Sequence, residues 1–275
     1  MDQSPFFSII TCTYNSAKSL ESCVRSVQEQ KFTNYEHIFV DGFSTDSTAE
    51  IIQKYSASAP DKVRFHQAPP AGVTGAMNEG IELARGQVIL HLHGDDRLSD
   101  ENVLQEVFEQ FQEQECAVLV GNCRLTGHPS ISYTWPESRW KRWFTMKCIP
   151  VLMFYTNPIA HPSTYVAKSV FERNGVFDEQ YHVVMDYDFW FRILNKESVH
   201  TLDRILSVYH FHEDTISTRQ MKLGLEEIDL IRRKYRSSYP LAYLVNVVML
   251  RPLLWLKRVA RFGASAGGKK VEVQS

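Results

Sequence analysis

Short apolar runs alternate with stretches of helical spacing along the first 120 or so residues of the chain. Phe6 to Thr13 is apolar and β-branched, the pattern of a buried strand, and Asn15-Ser16 supplies a turn and helix cap behind it. Leu20, Cys23, Val24 and Val27 then recur at i, i+3, i+4 and i+7, one apolar face of a helix. Tyr35 to Asp41 reads as a second strand ending on a carboxylate, with Ser44-Thr45-Asp46-Ser47 capping a second helix through Ile51, Ile52 and Tyr55. Val63 to Gln67 is a third strand. Pro69-Pro70-Ala71-Gly72 breaks the chain before a helix with Met77, Gly80, Ile81 and Ala84 on one face. Gln87 to Leu92 is the next buried strand, Leu104, Val107, Phe108 and Phe111 mark a fourth helix, and Ala117 to Gly121 is a fifth strand. This alternation predicts an α/β fold with a mainly parallel, doubly wound central sheet.

The rhythm is lost beyond Asn122. Trp135, Trp140, Trp143 and Phe144 stand among Pro, Lys and Arg without a period, which predicts a loop-rich segment. Its aromatics either stack on sugars or simply hold the segment onto the domain. Order returns with Tyr165 to Asn174, a turn over Gly175 to Glu179, a helix around Asp186 to Leu194 and a strand from Arg204 to Phe211. A charged helix from about Arg219 to Tyr235 precedes a tail of different composition. No repeat or low-complexity tract interrupts the chain.

Composition narrows the function classes. With 275 residues, 44% of them hydrophobic, the chain can bury a large core, and a net charge of −2 gives no general argument for nucleic acid as a partner. Five cysteines without a Cys-x-x-Cys pair argue against a disulfide framework and a zinc ribbon, and predict reduced thiols in a cytoplasmic setting. The N-terminal Met-Asp-Gln-Ser-Pro lacks a basic n-region, which agrees with that expectation.

The chemistry gathers at His91-Leu92-His93-Gly94-Asp95-Asp96. The turn at Gly94 can aim both carboxylates beyond the carboxyl end of the sheet, at the rim of the crevice where open α/β sheets bind ligands. Two hard oxygen ligands there suit Mg²⁺ or Mn²⁺ shared with substrate phosphates. The alternative is a helix cap, since Ser99, Asp100 and Asn102 open a helix just afterwards. His91 and His93 have strand spacing and share one face beside Asp95, either as metal ligands or as sheet-end histidines satisfied by backbone.

Thr11-Cys12-Thr13-Tyr14-Asn15, Val40-Asp41-Gly42-Phe43-Ser44, Gly75-Ala76-Met77-Asn78, Asp95-Asp96 and Met185-Asp186-Tyr187-Asp188 together resemble family-2 glycosyltransferases of the bacterial polysaccharide-biosynthesis type, in the right order over residues 6–217. The resemblance implies a GT-A fold and an inverting transfer of a sugar from a nucleotide sugar to a hydroxyl of a saccharide or lipid-linked acceptor. By position it implies Cys12 and Tyr14 bordering the base, Asp41 near base or ribose, and Asp95 and Asp96 as the motif for a divalent cation, with Asp95 also meeting the nucleotide. Asp186 would be the catalytic base, with His161 and His212 near acceptor or metal. A nucleotide-binding half at about 1–121, an acceptor-side half at about 122–217 and C-terminal helices at 218–275 follow. Gly42, Gly75 and Met185 depart from the family pattern, and a catalytically weak nucleotide-binding or scaffold module on the same fold is the alternative.

Asp188 lies about 200° around the helix from Asp186, so only one of them can face an acceptor hydroxyl. The other is expected to be solvated or paired with Arg192, and its loss mild. In the tail, Leu241 to Leu256 is apolar but interrupted by Asn246, Arg251 and Pro252, short of the roughly 20 residues of a membrane span. Arg251, Lys257, Arg258 and Arg261 fall within about a third of the circumference of an ideal helix, with Trp255 and Phe262 elsewhere on it and Lys269-Lys270 beyond. This pattern predicts peripheral attachment to anionic lipid on the cytoplasmic face, or packing on the domain or on a partner subunit.

Overall fold

The structure, a computed structural model, describes residues 4–69, 71–127, 134–135, 149–211 and 215–250. His212, Trp140, Trp143, Phe144 and the basic tail beyond residue 250 lie outside the described residues. Strands β1 (Phe7–Thr13), β2 (Tyr35–Asp41), β3 (Val63–Gln67) and β4 (Val88–His91) alternate with helices α1 (Ala17–Gln28), α2 (Thr48–Ser58) and α3 (Gly72–Leu83). These four strands pair in parallel in the order β3-β2-β1-β4.

Side chains alternate across each strand, so Phe7 and Ile9 of β1 join Leu90 of β4 and Leu20 of α1 on one face. Ile10 and Ile89 enter the core on the opposite face with Met77 and Ile81 of α3. Helix α3 seats close to the sheet: a Cβ on Gly80 would stand 2.3 Å from Ile10 Cγ2. At Gly75 a Cβ would stand 2.6 Å from that of Ala71, so the start of α3 is tightly packed there.

Beyond β4 come β5 (Arg97–Leu98), α4 (Val103–Glu113), β6 (Val118–Thr126), β7 (Thr134–Trp135) and β8 (Thr164–Ala167). They are followed by α5 (Lys168–Asn174), α6 (Met185–Ile193) and β9 (Val199–His210). The fifth strand of the sequence reading, β6, does not extend the parallel set directly, because β8 lies between it and β4, antiparallel to both. Strand β4 therefore has a parallel neighbour on one side and an antiparallel one on the other. Strand β9 begins at Val199, earlier than its pattern suggested, and runs parallel to β6.

Three further helices, α7 (Ile216–Arg219), α8 (Met221–Tyr235) and α9 (Pro240–Val245), follow, and a π-helical turn over Asn246–Leu250 closes the described chain. Ile231 of α8 is fully buried and shares a core cluster with Phe189, Trp190 and Phe191 of α6.

Candidate active site

The carboxyl ends of β1 and β2 are braced before any ligand is considered. Thr13 Oγ1 donates to Asp41 Oδ1 at 2.9 Å, and Asp41 also accepts from the Ser44 amide, the Ser44 hydroxyl and Gln67 Nε2. Burial raises the Asp41 pKa, but these donors outweigh it and leave the carboxyl below its ordinary value. The loop after β2 then crosses to α1. Asn15 Oδ1 accepts from the Thr45 amide at 2.8 Å, Thr48 Oγ1 from the Ser16 amide at 2.8 Å, and Asp46 Oδ2 from the Ala17 amide at 3.1 Å. Neither Ser16 nor Ser47 makes the side-chain cap that its position suggested. Asp46 serves both helices, through Oδ2 to the Ala17 amide and through Oδ1 to the Thr48 amide at 3.0 Å. Asn15 and Phe43 hold positive φ values of 50° and 57°, a strained backbone that this bracing sustains.

At the end of β4, Thr11 Oγ1 donates to Leu92 O at 2.7 Å, and the Asp96 amide donates to His93 O at 3.0 Å to close the turn that carries both aspartates. Asp95 is partly exposed, but Asp96 is only 1% exposed, so it lies beneath the rim where the sequence reading put both. Neither Asp96 oxygen has a hydrogen-bond partner. Burial, and then the charge of Asp95, push its pKa well above the ordinary carboxylate value, and the nearby amides of His210 and His93 offset this only in part. A buried carboxyl without donors beside a second carboxylate is the chemistry of a cation site. Among the described residues no three His, Cys, Asp or Glu side chains converge on one point.

Asp186 opens helix α6 across the same cleft. Its Oδ1 accepts from the Tyr187 amide at 2.8 Å and its Oδ2 from Asn157 Nδ2 at 3.0 Å, while His161 Nδ1 stands 3.9 Å from Oδ2. Burial pushes its pKa up to about 6, with the Tyr187 amide and the Asn157 and Trp190 side chains pulling the other way. His161 starts a 3-10 turn before β8, and its ring centroid lies 5.4 Å from that of His91 and 5.9 Å from that of His93. Burial lowers all three pKa values, His91 to about 3, so the imidazoles between the two carboxylate stations are neutral at pH 7.

One cleft of about 1510 Å³ brings together Cys12, Tyr14, Asp95, Asp96, His161 and Asp186. That exceeds the roughly 300–1,000 Å³ common for single-ligand pockets, leaving room for two reactants. Asp41 lies behind this wall with no exposure, and Gly42 takes its place in the lining. Asn157 had no sequence signal, since it stands in a segment without period and its partner is 29 residues away.

Asp188 is fully buried. It pairs with Arg192 at 2.8 Å, as the four-residue spacing suggests, and also with Lys234 at 2.8 Å and Tyr235 Oη at 3.1 Å on α8. The solvated alternative is therefore excluded, and Asp188→Asn is no mild change for the fold. It is expected to lower stability by about 1–3 kcal/mol, since it leaves two cations short of their partner. Thermal unfolding reads this out, and an unchanged Tm contradicts it.

The family described as "Glycosyl transferase family 2" matches residues 8–175. The chain belongs to glycosyl transferase family 2. Among curated proteins it is 30% identical over 197 residues to a PGL/p-HBAD biosynthesis glycosyltransferase of Mycobacterium bovis (strain BCG / Pasteur 1173P2), covering 72% of this chain and 73% of that one. It is 26% identical to the hyaluronan synthase of Pasteurella multocida, covering 81% of this chain but 22% of that protein. Its fold is like that of mannosyltransferase PcManGT from Pyrobaculum calidifontis, solved with GDP-Man and Mn²⁺, at a TM-score of 0.65 and 14% identity over 98% of this chain and 77% of that one. S. aureus TarS, solved with UDP-GlcNAc, matches at a TM-score of 0.62 and 19% identity over 76% of this chain and 59% of that one. The family-2 protein is thus a glycosyltransferase of GT-A type, with a mixed α/β core around a largely parallel sheet.

Proposed function

We propose that this family-2 enzyme moves a sugar from a nucleoside diphosphate sugar to a hydroxyl of a saccharide or lipid-linked acceptor, with inversion, in cell-surface polysaccharide biosynthesis. The observation that carries the reading is the pair of carboxylate stations on one cleft, Asp95 with the donorless Asp96 at one and Asp186 at the other. Asp95 and Asp96 would hold Mn²⁺ or Mg²⁺, which supplies charge neutralisation for the departing diphosphate. Cys12 and Tyr14 border the nucleotide, and Asp41 acts from behind by holding the loop around Gly42. The acceptor oxygen attacks the anomeric carbon as the carbon–oxygen bond to diphosphate breaks, its electron pair leaving with the diphosphate, while Asp186 takes the hydroxyl proton. His161, neutral and 3.9 Å from Asp186, borders the acceptor side. UDP-, GDP- and TDP-sugars with Mn²⁺ test the reading by thermal shift and transfer. A protein that binds one of them without turning it over, or that binds none, is the catalytically weak nucleotide-binding or scaffold module instead.

The same reading places the enzyme on the cytoplasmic face of an anionic membrane. No helix among the described residues is long and apolar enough to cross one. Leu241, Leu244 and Val248 recur on one stripe at the end of the described chain, 72%, 57% and 61% exposed, just before the basic run that starts at Arg251. An apolar stripe followed by cations with no acidic residue between Pro240 and Lys270 suits insertion at lipid headgroups. Full-length protein is expected to float with phosphatidylglycerol vesicles and not with phosphatidylcholine alone, and Leu244→Glu with Val248→Glu to reduce flotation several-fold. Equal flotation with both lipids, or by the double variant, removes the proposal.

A further inference from the structure

Helix α6 carries Asp186 but lacks a cap of its own. Its N-cap is Val184, which offers no side-chain acceptor, and in the first turn Asp186 Oδ1 accepts from the Tyr187 amide. Glu227 on α8 holds the segment just before the helix from 40 or so residues away. Its carboxylate, 3% exposed, accepts from the His182 amide at 2.7 Å on Oε1 and from the Val183 and Val184 amides at 3.0 and 3.1 Å on Oε2. One turn earlier Gly224 lets α8 approach: a Cβ there would already stand 3.1 Å from Val183 Cγ1.

The residues Glu227 holds lead into the wall of the cleft, since Val183, Val184, Met185 and Asp186 all line it while Glu227 does not. Seven residues further along α8, Lys234 grips Asp188, and Arg232 Nε donates to Tyr187 Oη at 3.1 Å. The two helices are thus pinned on both sides of Asp186, with Ile231 buried between the pins.

We propose that Glu227 is a positioning residue for the transfer reaction: by holding the His182–Val184 backbone that leads into α6, it sets where Asp186 stands in the cleft. The proposal rests on the reading of Asp186 as base. The test uses the full chain with Glu227→Gln, which keeps shape but lets only one of its two termini accept. At a temperature well below its Tm, kcat is expected to fall about tenfold or more, while the affinities of UDP and GDP with Mn²⁺, measured by calorimetry, stay within about twofold of wild type. Lys234→Gln is the comparison, because it loosens the same helix pair without touching residues 182–184, and its kcat is expected to stay near wild type. If Lys234→Gln loses as much turnover as Glu227→Gln, or if Glu227→Gln loses nucleotide affinity in step with kcat, the role is general packing and the proposal fails. Should Glu227→Gln not fold, Glu227→Asp carries the test, and normal turnover in that variant overturns the proposal. The two readings separate cleanly. Turnover retained in Asp186→Asn removes the base and this proposal with it, whereas a dead Asp186→Asn beside a normal Glu227→Gln removes only the latter.

Discussion

Asp186→Asn is expected to lower kcat by on the order of 10²–10⁴ while leaving nucleotide and Mn²⁺ affinity close to wild type. The change is nearly isosteric, and an amide cannot take the acceptor proton. Asp186 stands on a different element from Asp95 and Asp96 and holds no group that a diphosphate requires. In the wild type, burial places the carboxyl pKa at about 6, so the ionised base is lost as the pH falls through that value, and kcat should fall with it on the acid side. The sign for stability is the opposite of the sign for activity. A carboxyl raised above its unfolded value favours the folded state when protonated, and that contribution is lost as the pH rises through about 6. Asp186→Asn, neutral throughout, should therefore be no less stable than wild type at pH 8. Calorimetric unfolding and pH–rate profiles check both halves. A variant that turns over normally, or one whose nucleotide affinity collapses with its rate, excludes Asp186 as base.

Asp96→Asn is expected to lose both nucleotide binding that depends on Mn²⁺ and transfer, the latter by on the order of 10²-fold or more, because a cation at a departing diphosphate is worth several kcal/mol. The stability signature is independent of turnover. Burial and Asp95 hold the Asp96 pKa well above its unfolded value, so its protonated form stabilises the fold and that contribution is lost as the pH rises through the raised value. A cation can take the place of the proton. Saturating Mn²⁺ at about a hundred times its dissociation constant adds about 2.7 kcal/mol, or roughly 5–10 °C in the Tm of a domain this size. Asp96→Asn should show little of that rise and, without metal at pH 8, a Tm no lower than wild type. A wild-type protein whose Tm ignores Mn²⁺ and Mg²⁺, or full activity in EDTA, contradicts the metal site.

The strands and helices of the parallel half were legible because their cause is local. Phe7 to Thr13 is one short apolar and β-branched run, buried on both faces, and Leu20, Cys23, Val24 and Val27 fall on one helical face, so each element is recognisable from its own residues. The aspartates that line the cleft stood out for a related reason: each sits at the end of such an element, where a carboxylate has no part in the core. The cap before α1 was misread, although Asp46 does accept from the Thr48 amide at the start of α2, because the same Ser, Thr and Asp side chains can serve any nearby amide. Only the packing of two loops decides that Asp46 serves Ala17.

What the chain determined by itself was the order of elements, the family, and which carboxylates stand at strand and helix ends. Their surroundings were left to tertiary structure. Side by side in sequence, Asp95 and Asp96 look alike, yet the turn after β4 leaves one partly exposed and buries the other without a donor. Asp188 looks like a surface residue until α8 brings Lys234 and Tyr235 onto it, and Glu227 has no role at all until the same helix brings it under residues 182–184. Burial and electrostatics depend on distance in space. They are set by partners tens of residues away, which no local period records.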